Sequence, residues 1–262
     1  MRTAFALVPV LMVAACATTA PDAAEALRPG EPPYDRAARA AVNRQDMLTQ
    51  MTFWAQEYAV HPQDLETAQK FVDSLRYGGR ADRAATVALE ALEKHPEDRK
   101  LMRSFGFALL ASGKPQESLR PLAMTARDDA ADWSVRSALG AALDQLNRPV
   151  EARQAYREAL SIKTDDPGVL TNMGVSFLMT GDVEDAEKTL QQAATLPGAT
   201  AETRMNLAVA IALQGRFEEA ERIQRVDIPP DMIAANMAYL RALQTDPRRW
   251  GELRSGRRTG GR

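Results

Sequence analysis

Residues 133–166 read WSVRSALGAALDQLNRPVEARQAYREALSIKTDD, and the same layout recurs on both sides of them without a gap. Its turn residue, Asn147, belongs to a row that runs Gly79, Gly113, Asn147, Gly181, Gly215, each 34 residues after the last. Gly and Asn accept positive φ at low cost, so the row predicts one tight helix-to-helix corner made five times. Aligning 65–98, 99–132, 133–166, 167–200 and 201–234 brings apolar positions into register. The seventh position holds Phe71, Phe105, Leu139, Met173 and Leu207, and the eleventh Leu75, Leu109, Leu143, Phe177 and Ile211. The eighth is Val72, Gly106, Gly140, Gly174 and Ala208; the twentieth is Ala84, Ser118, Ala152, Ala186 and Ala220. The twenty-fourth is Ala88, Leu122, Tyr156, Leu190 and Gln224, and the twenty-seventh Ala91, Thr125, Ala159, Ala193 and Asp227.

Steps of three and four put positions 4, 7, 8 and 11 on one face of a first helix, and 20, 24 and 27 on one face of a second. Small residues at 8 and 20 let the two approach closely, while large ones at 7, 11 and 24 fill the space left. A fixed period of this length marks a solenoid. The columns resemble the tetratricopeptide repeat (TPR), with Pro96 keeping that family's Pro near the repeat end and the usual aromatic at position 4 missing. The resemblance implies an all-α, right-handed superhelical solenoid of antiparallel helix pairs, with about five repeats and a C-terminal capping helix. Upstream, Met47, Phe53 and Trp54 precede Pro62 at helical spacing, so 44–60 is expected to be the second helix of a half-repeat. Downstream, Ile228-Pro229-Pro230 is expected to stop the second helix of repeat five, and Asp231 to cap a last helix over 232–244. The whole array is expected to span 44–246 as one extended domain.

The N-terminus bears on compartment. Met1-Arg2 is a positive start, and Ala4 to Ala15 is an uncharged, mostly apolar stretch of signal-peptide length, well short of the ~20 apolar residues of a spanning helix. It ends Val13-Ala14-Ala15-Cys16, which resembles the lipobox of bacterial lipoproteins; the alternative is an ordinary secretory signal cut after a small residue. Cys16 is the single cysteine of the chain, and acylation would remove an unpaired thiol from an oxidising compartment. Residues 1–15 are thus expected to be the signal peptide, and 16–43 the lipidated Cys16 and a tether rich in Ala, Pro and Gly. Ala17 follows the cysteine, which by the lipoprotein resemblance implies sorting to the outer membrane of a Gram-negative cell, on the periplasmic face. Residues 247–262, with Arg248, Arg249, Arg254, Arg257, Arg258 and Arg262, read as a basic disordered tail.

Composition argues against nucleic acid: 33 Lys and Arg stand against 35 Asp and Glu, a balance with no polyanion-attracting field. His61 and His95 each precede a Pro at the same repeat position and read as corner residues, with no ligand cluster around them. Asp165-Asp166 and Asp128-Asp129 read as helix-start residues. No catalytic set, metal site, cofactor site or small-molecule site is expected, and the chain is read as non-enzymatic.

What the repeats offer is a surface. The TPR resemblance implies a concave groove lined by positions 2, 5, 9, 12 and 13 of the first helices. Its middle then holds Phe107, Ala141, Val175, Met179, Met205 and Val209, with Leu110, Leu178 and Leu213 either in the groove or in the core. Asp73, Arg76, Tyr77, Arg103, Asp144 and Gln145 lie on its flanks. Asn172 and Asn206 at position 6 match the family's recurrent Asn, which bonds a bound backbone or an adjacent repeat. An apolar groove without a partner is unusual, so an extended or helical apolar segment is the expected ligand.

The stretches Asn206-Leu207-Ala208-Val209-Ala210, Leu213-Gln214-Gly215-Arg216-Phe217-Glu218-Glu219-Ala220-Glu221, Asp227-Ile228-Pro229-Pro230 and Asn236-Met237-Ala238-Tyr239-Leu240-Arg241 resemble the TPR lipoproteins of tight-adherence (Flp) pilus assembly systems. That resemblance implies a pilotin-like adaptor whose partner is the secretin or another pilus assembly component. An adaptor for peptidoglycan hydrolases or for outer-membrane β-barrel assembly is the alternative.

Overall fold

The computed structural model describes residues 36–245, which form thirteen α-helices and, among the described residues, no strand. Helices α1 (Arg36–Val42) and α2 (Met47–Val60) lead into five pairs: α3 (Leu65–Tyr77) with α4 (Ala81–Lys94), α5 (Arg99–Ala111) with α6 (Pro115–Asp128), α7 (Trp133–Gln145) with α8 (Pro149–Ile162), α9 (Pro167–Thr180) with α10 (Val183–Thr195), and α11 (Ala201–Leu213) with α12 (Phe217–Gln224). The last helix is α13 (Pro230–Thr245). This is the all-α superhelical solenoid expected from the period. Each first helix packs on its own second helix and on the next first helix, so α3, α5, α7, α9 and α11 make a continuous inner row.

Local chemistry sets both ends of every first helix. At the start, the last residue of the preceding repeat caps it: the carboxylates of Asp64, Asp98, Asp132 and Asp166 and the hydroxyl of Thr200 accept from backbone N–H groups of the first turn. Asp166 thus fits the helix-start expectation. Asp128 and Asp129 do not, because Asp128 ends α6 and Asp129 is its C-cap; the starting acid there is Asp132. At the other end the turn row has positive φ throughout, 73° at Gly79 and Gly113, 58° at Asn147, 85° at Gly181 and 84° at Gly215. The left-handed residue lets the next N–H reach back to the carbonyl five residues before it, as in Arg80 N to Leu75 O (2.8 Å), Lys114 N to Leu109 O (2.9 Å) and Arg148 N to Leu143 O (2.9 Å).

The pairing inside each repeat rests on position 8. A Cβ built on Gly140 would lie 2.5 Å from Tyr156 Cε1, one on Gly174 2.5 Å from Leu190 Cγ, and one on Gly106 2.8 Å from Leu122 Cδ2. Positions 8 and 24 are therefore face to face, and the glycines remove the one atom that would keep the backbones apart. The twentieth column is wholly buried in all five rows.

The ends carry the departures. Helix α2 has the length and register of α4 shifted by one period, and His61 and His95 are the matching C-caps, as the half-repeat reading expected. The tether expected over 16–43 stops short, because residues 36–42 are helical and α1 is docked by Arg39, which is 7% exposed. Its guanidinium donates to Glu57 Oε2 (2.7 and 3.0 Å), Glu66 Oε2 (2.9 Å), Asp64 Oδ1 (3.2 Å) and Thr67 Oγ1 (3.1 Å), and lies 5.8 Å from the Trp54 ring centroid. Acceptors supplied by α2 and α3 decide this placement, and sequence periodicity does not reveal them. The stretch expected to be a signal peptide, Cys16 and the Arg-rich stretch 247–262 lie outside the described residues.

At the C-terminal end, α12 stops at Gln224, before the Pro pair expected to stop it. Asp227, at the twenty-seventh position, is drawn out by a two-pronged contact from Arg204 in α11 (2.7 Å to each oxygen). Helix α13 begins at Pro230, with Asp231 in its first turn rather than at its cap, and runs to Thr245 rather than over 232–244. It covers the last pair with Ile233, Met237 and Leu240, as a terminal element of a solenoid must.

Gly140→Leu should destabilise the protein by about 1–3 kcal/mol, the usual cost of overpacking, because Tyr156 leaves no room at that contact. A thermal melt checks it, and an unchanged melting temperature would contradict the pairing of positions 8 and 24.

Candidate protein-binding groove

The inner row of first helices carries the candidate site. Position 9 is half-buried in every repeat (Asp73, Phe107, Ala141, Val175, Val209) and so forms the floor. Met179, at position 13, is 40% exposed, and Met205, at position 5, is half-buried. Position 12 is divided. Asp144 and Ala212 are buried there and Leu110 and Leu178 pack against core clusters, whereas Arg76 of the first pair is half-buried and lies against the floor residue Phe107. Asn172 is exposed and donates at 3.4 Å to Ser137 Oγ of the previous repeat. Asn206 is half-buried, and among the described residues its side chain has no hydrogen-bond partner.

The two halves of the groove differ in chemistry. Toward the C-terminal end the floor is apolar, with Ala141, Val175 and Val209, and Met179 and Met205 stand beside it among the polar Gln145 and Asn172. Toward the N-terminal end the groove is charged and tightly wired. Asp73 accepts from Ser104 Oγ at 2.8 Å and faces Lys100 Nζ at 3.7 Å. Gln69 donates to Asp98 at 3.0 Å and accepts from Lys100 at 3.3 Å. Phe107 joins the two halves, with the Arg103 guanidinium 4.7 Å and the Arg76 guanidinium 5.5 Å from its ring centroid, both cation–π distances. Arg103 is itself neutralised by Asp132 (2.7 Å) and donates to Ser134 Oγ (2.8 Å). Burial opposes ionisation of Asp132, but the Ser134 hydroxyl, Arg103 and the Val135 N–H outweigh it and hold its carboxyl below the usual carboxylate range. The sequence placed Arg76 and Arg103 on the flanks. The stacking around Phe107 was missed, although Arg at position 12 of one repeat and position 5 of the next, around an aromatic at 9, was its signal.

Below the floor, Asp144 accepts from Ser176 Oγ at 2.8 Å and Tyr156 OH at 3.0 Å, tying repeats three and four together. Burial pushes the Asp144 carboxyl up, against the two hydroxyl hydrogen bonds and the charge of Arg153. Burial and the adjacent carboxylate likewise push the Tyr156 phenol up. Among the described residues there is no cluster of His, Cys, Asp and Glu that could hold a metal ion, and no helix long and apolar enough to cross a membrane.

Two family models described as tetratricopeptide repeat match residues 78–197 and 171–231, together more than half the chain. The chain belongs to the tetratricopeptide repeat superfamily, and is by that membership a protein-interaction scaffold. Among solved structures it is similar to TTC0263, a thermophilic TPR protein of Thermus thermophilus, at 20% identity and a TM-score of 0.57, over 68% of this chain and 99% of that one. It is also similar to MamA (residues 41 to the end) of Desulfovibrio magneticus RS-1, at 17% identity and a TM-score of 0.54, over 60% of this chain and 89% of that one. At such identities the likeness is one of fold. No curated protein matches the sequence.

Asp144 yields a pH test. Its folded pKa lies above its unfolded one (about 3.9), so the folded state holds the proton more tightly. The stability it contributes is complete below the unfolded value and is lost as pH rises through the raised one. In Asp144→Asn both hydroxyls can still find partners, and this titration is gone. The melting temperature of Asp144→Asn relative to wild type should therefore climb as the pH rises from about 4; a constant difference would refute the reading.

Proposed function

We propose that this protein is a non-enzymatic outer-membrane adaptor, held by lipid on Cys16, which binds an apolar segment of the secretin in a tight-adherence-type pilus assembly machine. The observation that carries the binding half is the groove floor: Phe107, Ala141, Val175 and Val209 follow one another along adjacent first helices, and Met179 stands 40% exposed beside them. A row of apolar side chains on an inner face is where an extended or helical segment buries its own. Asn206, whose side chain has no hydrogen-bond partner among the described residues, would bond the backbone of that segment, while Asn172 donates to Ser137 of the adjacent repeat. The lipobox Val13-Ala14-Ala15-Cys16 and the C-terminal resemblance to tight-adherence TPR lipoproteins supply the membrane and the partner. Two or three acyl chains, each CH₂ contributing about 0.8 kcal/mol on burial, hold such a protein stably at a bilayer.

The anchor is tested by Cys16→Ser, which should move the protein from the membrane to the soluble fraction and end metabolic labelling with palmitate. A variant that stays in the membrane, beside a wild type that takes up no fatty acid, rules the anchor out. The groove is tested by Met179→Glu. This exposed position should tolerate the charge within about 0.5 kcal/mol of folding stability, while secretin capture from solubilised envelope falls at least roughly thirtyfold, the loss of one binding hot spot. Unchanged capture would make the groove scaffold only.

A further inference from the structure

Among the described residues, Arg76, beside Phe107 on the inner row of helices, is a cation whose charge is left unanswered. Lys100 faces Asp73 at 3.7 Å, and Arg103 is paired with Asp132 at 2.7 Å. No described carboxylate stands within ion-pair distance of Arg76, and its buried Nε has no hydrogen-bond acceptor. That Nε is closed off from an incoming group, but the two Nη groups are not, and among the described residues they have no acceptor. The group is nonetheless firmly placed, its Cζ 4.0 Å from the Tyr77 ring centroid and 5.5 Å from that of Phe107. Rings that hold a guanidinium by its face leave its N–H donors free for a planar acceptor, and a carboxylate matches that fork.

We propose that Arg76 anchors a side-chain carboxylate of the segment occupying the groove, so that an acidic residue sits over the first two repeats and apolar residues follow toward Val175 and Met179. The inference rests on the groove reading above and adds the partner's chemistry and direction. A guanidinium without a counter-charge suits a carboxylate. The flat surface of an anionic bilayer does not fit, because Arg76 packs against Phe107 on the inner row of helices.

The test uses the full chain in detergent as bait for displayed random peptides of about twelve residues, on wild type, Arg76→Ala and Arg76→Lys. Wild type should select an acidic residue at one end of an apolar run, and Arg76→Ala should keep the apolar preference and lose the acidic one. For a selected peptide, changing its Glu to Gln should weaken binding to wild type about tenfold, the size of a hydrogen bond to a charged group. The same change should alter binding to Arg76→Ala less than about twofold, with Arg76→Lys between, since it keeps charge without the fork. Equal melting temperatures show that the variants are folded. Apolar selection without an acidic preference, or Glu–Gln discrimination retained in Arg76→Ala, overturns the proposal and leaves the groove standing. Acidic selection without an apolar run supports Arg76 and removes the apolar stripe. No selection by wild type overturns both. Binding to phosphatidylglycerol vesicles that depends on Arg76, without peptide discrimination, assigns the cation to lipid and overturns the proposal.

Discussion

The structure depends on one contact made again and again: a side chain of the second helix resting on a nearly bare stretch of first-helix backbone. Where Tyr156, Leu122 and Leu190 meet Gly140, Gly106 and Gly174, there is no space for even a methyl group. That closeness fixes the tilt of each pair, and the tilt fixes where the next pair can stack. Each repeat touches only its neighbours, so stability is close to a sum of pair and interface contributions, and an error in one pair propagates outward. The positive-φ corners serve the same contact, because they deliver the second helix at the right height in every repeat.

A stack of this kind leaves two raw apolar faces, and the chain closes them by different physics. At the C-terminal end α13 does it with Ile233, Met237 and Leu240, an ordinary hydrophobic cover. At the N-terminal end α1 is too short to bury much, and it is fixed by Arg39 among Glu57, Asp64, Glu66 and Thr67. A buried ion cluster is weak evidence of net stabilisation, but with its donors answered from two neighbouring helices it specifies one docking geometry. Asp64 also caps α3, so the same carboxylate ends one repeat, starts the next and helps hold α1.

The groove inherits its character from the same division of positions. On an inner helix, positions 3, 8 and 10 are taken up by packing, which leaves 9 and 13, and in the first pair 12, open toward a partner. In the first two repeats these positions sit among ion pairs and stacked guanidinium groups; in the later repeats they include Val and Met. A groove that changes from charged to apolar along its length gives a bound segment a direction, because only one orientation matches acid to cation and apolar to apolar.

The sequence by itself determined the solenoid, its period, its repeat boundaries and the small-against-large pairing, since these follow from residue size and backbone freedom at fixed spacing. Asn147 at φ 58° and Gly140 against Tyr156 were both legible because a turn and a close approach each restrict which residue fits. That Phe107, Val175 and Val209 share one half-buried face was legible for the same reason, from the register of the helices. Contacts between chemically specific side chains on different repeats were not. Arg39 reaching Glu57, Arg204 drawing Asp227 out of α12, Arg76 and Arg103 enclosing Phe107, and Asp144 buried beneath Tyr156 and Ser176 depend on where side chains as far as 32 residues apart end up. Periodicity reports which face a residue is on, and only the folded stack decides which charged or aromatic group it meets there.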